Sequence, residues 1–338
     1  PQKPSNPNDP VSEKQKQMID QLLQDFKDAK KLFEYEDYIK NPTQGTASDL
    51  ISAVIDRNAD IVIGKSAYTH YLGERPGVVK DGEHGLFSQD GQSVDLNKVA
   101  QEVAAHRGNV WTHVVSLRRS DAELSGYAYN DEQITADAWR SLVRRHILTM
   151  AKQTKIKPEN LQWYAAFHNK ETNPHVHIMI YSKDPKEGYL TNNGIEKIRS
   201  AFANDIYSEE LSMLNEHQTE LRNQLRSSAA MAFDKIAAQL RAGTLPSQQK
   251  LYDNITKLKN ILDSTKGKKV YKFLKPEAKA VVDSITQQIC RNKDIQSLYE
   301  QWCNCQKDRI GIYTSKIPDF PSLEENPEFK TIKNHIIR

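Results

Sequence analysis

His168–Asn169–Lys170–Glu171–Thr172–Asn173–Pro174–His175–Val176–His177–Ile178–Met179–Ile180 is the segment on which the reading of this chain turns. Side chains alternate along a strand, so His175 and His177 point to one face while Val176, Ile178 and Ile180 point to the other. The preceding run, Leu161 to His168, carries the matching alternation. Trp163, Ala165 and Phe167 suit a core, which puts Tyr164, Ala166 and His168 on the opposite face. The polar residues 169–174 make a turn that lays the end of the first strand beside the start of the second. His168, His175 and His177 then converge on one open face of an antiparallel pair. Neutral imidazole is a good ligand for divalent transition ions, and three protein ligands leave positions free for a substrate. A lone His-x-His is more often structural. A third histidine at hairpin spacing is harder to explain in that way, because unpaired imidazoles buried on apolar strands are costly.

Outward from the hairpin, Val110 to Leu117 reads as another strand, with Arg118 and Arg119 at its end. His113 shares a face with Trp111, Val115 and Leu117 and reads as a core histidine rather than a fourth ligand. Ile134 to Lys155 is a long amphipathic helix carrying Trp139, Leu142, Val143, Ile147 and Met150. Asp95 to His106 is a shorter helix. Nearer the start, Ser12 to Tyr38 has helical spacing, Asn41 to Ser48 reads as a linker, and Asp49 to Arg57 as a short helix capped by Ser48 or Asp49. Ile61–Val62–Ile63 and Gly64 have no assigned type. Gly194 to Arg226 reads as one helix. Beyond it Ala229 to Ala242, Ser247 to Leu262 and Lys279 to Gln301 are helical, with no strand. These breaks divide the chain into an N-terminal arm and helix (1–48), a sheet-bearing catalytic domain (49–227) and a helical C-terminal region (228–338).

The 338 residues are 38% hydrophobic and 27% charged, the composition of a soluble globular protein of about two domains. No run of ~18 apolar residues occurs, so no transmembrane helix and no membrane insertion are expected. No apolar segment near residue 1 resembles a secretory signal. Cys290, Cys303 and Cys305 are too few for a disulfide framework, and Cys303–Asn304–Cys305 lacks the second ligand pair of a zinc site. A reducing, cytoplasmic setting is expected. The net charge of +3 hides an asymmetry. Residues 228–338 hold 19 Lys and Arg against 12 Asp and Glu, a net of +7, so the first 227 residues carry −4. Lys266 to Lys279 concentrates the excess, with Lys268, Lys269 and Lys272 around Tyr271 and Phe273. That run is either a solvated surface or a phosphate-contacting patch with aromatic stacking partners.

Three motifs carry a family resemblance. Tyr68–Thr69–His70–Tyr71–Leu72–Gly73–Glu74–Arg75–Pro76–Gly77–Val78, with His84–Gly85–Leu86–Phe87–Ser88 after it, resembles a motif of the MobL-type conjugative relaxases. Trp111–Thr112–His113–Val114–Val115–Ser116–Leu117–Arg118–Arg119 resembles that family's next strand. His168 with Asn173–Pro174–His175–Val176–His177 resembles the metal motif of the wider HUH endonuclease superfamily. The likeness runs from about Ile61 to Arg226. It implies an α/β (α+β) fold, with an antiparallel central sheet of HUH type, helices on one face, and a helical C-terminal extension. It implies a relaxase that nicks one strand of DNA at an origin of transfer, for conjugative mobilisation. A tyrosine would attack the scissile phosphate, form a covalent 5′-phosphotyrosine and later allow rejoining. By motif position Tyr71 is the first choice of nucleophile and Tyr68 the second. Some branches use histidine, so His70 stays open.

The implied cofactor is a divalent metal ion, Mn²⁺ or Mg²⁺, on His168, His175 and His177, where it would act as an electrophilic clamp on the phosphate. Glu74 or Glu171 would orient a metal-bound histidine. Arg75, Arg118 and Arg119 are expected to contact DNA, as are Lys268, Lys269 and Lys272. Single-stranded or hairpin DNA, relaxosome accessory proteins and coupling proteins are the implied partners. Two enzymatic alternatives share the residues: a rolling-circle replication initiator or transposase of the HUH class, and a metal-dependent phosphodiester hydrolase in which the tyrosine is incidental. A non-catalytic DNA-binding protein fits the intact histidine set less well.

Overall fold

A computed structural model describes residues 7–58, 65–75, 77–90, 93–243, 249–314 and 316–338, with Lys65 and Ser66 described as backbone only. Ile61 to Gly64 and Pro76 lie outside the described residues. The chain forms two compact units, Pro1–Ile206 and Tyr207–Arg338.

The first unit opens with α1 (Glu13–Asp25), α2 (Phe33–Lys40) and α3 (Gln44–Arg57), which share a small core of Ile19, Ala29, Leu32, Leu50 and Val54. α3 begins earlier than its apolar spacing implies. Thr43, not Ser48 or Asp49, is the cap: its hydroxyl accepts the Thr46 N–H while Thr46 returns the bond to the Thr43 N–H. That reciprocal pair satisfies two of the donors a helix start leaves free.

There follow α4 (Lys65–Glu74), β1 (Leu86–Phe87), α5 (Leu96–Ala105), β2 (Val110–Ser116), α6 (Arg119–Leu124), α7 (Glu132–Gln153), β3 (Leu161–His168), β4 (His175–Ser182) and α8 (Asn192–Ile206). The four strands make one antiparallel sheet in the order β1-β3-β4-β2. The fold is mixed α/β with an antiparallel central sheet, as the sequence implies. β3 and β4 are the hairpin read from the alternation: His168 lies opposite His175, and Ala166 opposite His177. β2 continues the face with Ser116 beside His175 and Val114 beside His177. A one-residue slip of β4 would send both of its histidines to the other side of the sheet.

The expected helical layer is α7 with α8 behind it. α7 starts at the Asp131 cap and stacks Trp139 on Phe167 of β3, ring centroids 5.3 Å apart. A second layer covers part of the histidine face. Tyr68 and Leu72 of α4 and Leu96, Val99 and Val103 of α5 pack on Ala166, Met179 and Tyr181. The chain then crosses the end of β3, where Asn169 N–H donates to Gly77 O and Val79 N–H to Phe167 O. Gly77 makes that crossing at φ +91°, a conformation that residues with a Cβ rarely adopt. The histidine face is therefore closed, not open: His168, His175 and His177 are 0%, 2% and 0% exposed.

The second unit contains α9 (Ser208–Arg241), α10 (Gln249–Ser264), α11 (Pro276–Cys290), α12 (Lys293–Gly311) and α13 (Lys330–Ile336). Leu225, Leu258, Val282, Ile285, Trp302 and Phe329 lie in its core. The break placed after residue 227 falls inside α9, which has no Gly or Pro along its length. The helix expected over Lys279 to Gln301 is two helices, because Asn292 caps α12 by accepting the Asp294 and Ile295 N–H groups. All three cysteines are free, with Cys290 and Cys305 buried.

Candidate metal centre

The hairpin brings the three imidazoles into mutual contact. Ring centroids are 5.1 Å apart for His168 and His175, 5.0 Å for His168 and His177, and 5.2 Å for His175 and His177. His175 Nδ1–H donates to the Asn173 carbonyl at 2.9 Å, which leaves the lone pair on Nε2. That Nε2 and both ring nitrogens of His168 and of His177 are buried without a hydrogen-bond partner among the described residues. Each such atom costs about 1–3 kcal/mol when nothing binds it. A cluster of them in one spot is poor economy for a core and a good fit for a cation that imidazole can ligate. Burial is the main reason that His175 is pushed down to about 4 and that His168 and His177 fall well below the usual imidazole range. All three stay neutral, the state in which imidazole binds a metal.

A fourth residue completes the group. Asp56, from the last turn of α3, places Oδ2 3.8 Å from His175 Nε2. One ligand atom each from Asp56, His175 and His177 lie within 4.8 Å of one another, a set able to hold a metal ion. His168 stands beside this set at ring-contact distance. Asp56 also gathers three other groups. Tyr71 donates its hydroxyl to Oδ1 at 2.7 Å, the Arg75 guanidinium donates to the same oxygen, and Lys170 Nζ reaches Oδ2 at 3.2 Å. Burial by itself would raise the Asp56 carboxyl, but Arg75, Lys170 and the Tyr71 hydroxyl outweigh it and hold the group down to about 2. Burial, and then the adjacent Asp56, push the Tyr71 hydroxyl far above the usual phenol value. Arg75 lies over the Tyr71 ring, 4.8 Å from its centroid.

Sequence reasoning missed Asp56. It lies far from the hairpin in the chain and belongs to no spacing motif. Its one signal is an acidic residue on the apolar face of a helix, in line with Leu50 and Ala53.

The other expected site residues are placed as follows. Tyr68 is 2% exposed and packs in the core under α4. His70 pairs with Glu74 at 3.8 Å, both partly exposed. The Asn173 carbonyl, not Glu74 or Glu171, orients His175. The Asn173 side chain in turn donates to buried Glu34 at 3.0 Å. Arg118 forms a two-pronged contact with Asp37, 3.2 Å for each bond. Arg119 clamps the hairpin turn through the Glu171 and Lys170 carbonyls and the Asn169 side chain. His84 is a latch: Nε2 meets the Val94 carbonyl and Nδ1 accepts the Leu86 N–H. His113 pairs with Ile178 and faces away from the cluster, as the alternation requires. Lys268, Lys269 and Lys272 belong to the second unit and are exposed.

The arrangement joins a buried, lone-pair-rich cation site to a hydroxyl held by an anionic carboxylate. A family model described as MobL relaxases matches residues 2–337. No curated protein and no solved structure matches the chain.

Proposed function

The chain belongs to the MobL relaxases, DNA-nicking enzymes of conjugation, and from that premise we propose that Tyr71 is the nucleophile of a strand-specific nick at an origin of transfer. The observation that carries the proposal is the Tyr71–Asp56 hydrogen bond beside a cluster of partnerless imidazole nitrogens. Tyr71 Oη attacks the scissile phosphorus while its proton, hydrogen-bonded to Asp56 Oδ1, is relayed to the departing 3′ oxygen, so that Asp56 ends ionised as it began. The new bond is a 5′-phosphotyrosine. The bond to the 3′ oxygen breaks, and that oxygen takes a proton and leaves as a hydroxyl. Because the phosphoester is conserved, the same hydroxyl can attack it and rejoin the strand. Tyr71 is preferred to Tyr68 because the Tyr68 ring is closed into the core.

His168, His175 and His177, with Asp56 alongside, would hold a divalent ion, Mn²⁺ or Mg²⁺. When bound, the ion supplies Lewis-acid polarisation of the phosphate oxygens. Arg75 and Lys170 hold Asp56 anionic and aimed at Tyr71. Arg119 braces the turn that carries His175, while the Arg118 guanidinium is engaged on Asp37 of α2. The substrate in this reading is single-stranded or hairpin DNA, delivered with accessory and coupling proteins of the transfer complex.

The test is incubation with single-stranded oligonucleotides spanning a candidate origin in Mn²⁺. A protein–DNA adduct on a denaturing gel that Tyr71→Phe abolishes is the expected result. Two free fragments and no adduct would mean hydrolysis. An adduct that survives in Tyr71→Phe would move the nucleophile to another residue.

A further inference from the structure

We propose that the exposed loop between α10 and α11 is a platform for single-stranded DNA, on which Phe273 stacks against a base while Lys268, Lys269 and Lys272 take the flanking phosphates. Family membership enters only in choosing DNA as the polyanion; the surface itself lies wholly within the second unit.

Residues 266–279 hold six lysines and one acidic residue, Glu277. Glu277 is already paired with Lys257 at 3.0 Å. Lys266, Lys268, Lys269, Lys272 and Lys275 are exposed, and none makes an ion pair with the described residues. Among them Phe273 is 60% exposed and Val270 39% exposed. The Lys272 ammonium sits 5.8 Å from the Phe273 ring centroid.

The loop is fixed from behind. Tyr271 donates its N–H to Asn334 Oδ1 at 3.0 Å and its hydroxyl to the Asp283 carboxylate at 2.7 Å. Lys333 and Lys279 lie over its ring, 4.7 and 5.7 Å from the centroid. Leu274 is buried in the unit's core. Tyr271 and Leu274 are thus the anchors of a short 3₁₀ turn, Tyr271–Phe273, that presents Lys272 and Phe273 outward. An aromatic ring held in water next to uncompensated cations suits a ligand that alternates flat apolar faces with negative charges. Single-stranded DNA has that alternation. A duplex shows its phosphates but hides its base faces. An acidic peptide offers charge without stacking faces. An anionic membrane would be met by a broader apolar face than one ring and one valine.

The experiment uses the full chain in EDTA, so that nicking is silent, and reads the anisotropy of a labelled mixed-sequence 20-nucleotide single strand. Phe273→Ala is expected to weaken binding about five- to tenfold and to leave the salt dependence unchanged. Lys268→Gln/Lys269→Gln/Lys272→Gln is expected to weaken binding and to lower the slope of log affinity against log salt by about two. Phe273→Trp should retain affinity and show quenched tryptophan emission when the strand binds. Unchanged affinity in Phe273→Ala overturns the proposal. So does equal binding to a duplex of the same sequence. A Phe273→Ala loss seen with phosphatidylglycerol vesicles but not with the oligonucleotide also overturns it, in favour of a membrane contact. Wild-type protein that binds this strand in EDTA yet forms no adduct in Mn²⁺ with oligonucleotides spanning the origin would sink the nicking reading and leave this one standing.

Discussion

Tyr71 and Asp56 are joined by a 2.7 Å hydrogen bond that ties the end of α3 to the middle of α4, directly beside the histidine pair of β4. The same carboxylate oxygen accepts from Arg75, and its partner oxygen meets Lys170 and faces His175. One buried carboxylate thus serves the nucleophile candidate, two cations and the metal set.

Asp56→Asn should therefore do two kinds of damage. It leaves Arg75 and Lys170 facing a neutral amide in a buried place, which costs about 3–5 kcal/mol when a buried pair is broken. It also removes the group that relays the Tyr71 proton, so adduct formation should fall about 10²- to 10⁴-fold. Thermal melting reads the first effect, and single-turnover adduct formation on protein that is still folded reads the second. A variant that melts lower but forms adduct at the wild-type rate would make Asp56 purely structural.

Metal removal should be visible without any DNA. Chelator-treated protein titrated with Mn²⁺ should gain stability, by about 2.7 kcal/mol at a hundredfold excess over Kd. For a unit of this size that is roughly 5–10 °C in Tm. His175→Ala should lose most of the shift. An equal shift in wild type and His175→Ala would place the ion elsewhere.

The hairpin was legible because it is local. Period-two alternation, a polar six-residue turn and three histidines are contained within Leu161 to Ile180, and the register follows from which side chains must be buried. The long α7 was legible for the same reason. The rest depends on contacts between distant segments. Asp56 reaches the site only because α3 docks beside the hairpin turn, with Asp49 accepting from Thr172. The closing of the histidine face depends on where α4 and α5 pack, which no local period encodes. Tyr68 and Tyr71 have the same motif context, yet the turn of the helix buries one ring in the core and aims the other hydroxyl at Asp56. Breaks in the helical region were misplaced where a polar cap, Asn292, ends one helix and starts another without Gly or Pro.

The link from Glu34 through Asn173 to His175 predicts an effect at a distance from the metal. Glu34 accepts from the Asn173 side chain, and the Asn173 carbonyl fixes the His175 tautomer. Glu34→Ala should free the turn and weaken Mn²⁺ binding about 10- to 100-fold, the usual cost of losing an outer partner of a metal ligand. Isothermal titration with Mn²⁺ measures this, and Glu34→Gln, which can still accept the bond, should recover most of the affinity. If alanine and wild type bind alike, the α2 contact only braces the fold.

Acid should destabilise the metal-free protein over a defined window. Burial pushes His175 and His113 down to about 4, against about 6.5 in an unfolded chain. Above about pH 6.5 both forms of the protein are neutral at these sites and the full stability is present. As pH falls from about 6.5 to about 4, the unfolded chain takes up protons that the folded chain refuses, and stability is lost. For His175 the loss is on the order of 3 kcal/mol across that range. Asp56 adds its own loss at the acid end of this window and below it: the folded carboxyl, held down to about 2, stays ionised while the unfolded one, at about 3.9, takes up a proton from about pH 5 downward. Saturating Mn²⁺ should extend the acid limb below about pH 4, since a bound ion would keep the folded imidazoles unprotonated while the unfolded chain is protonated. The measurement is Tm against pH in EDTA, repeated for His113→Gln. That variant should show a shallower decline between pH 6.5 and 4 whatever its absolute Tm, because His113 sits on the face away from the metal set and contributes to the slope independently. Parallel curves for the variant and wild type would show that His113 is protonated as easily in the fold as outside it.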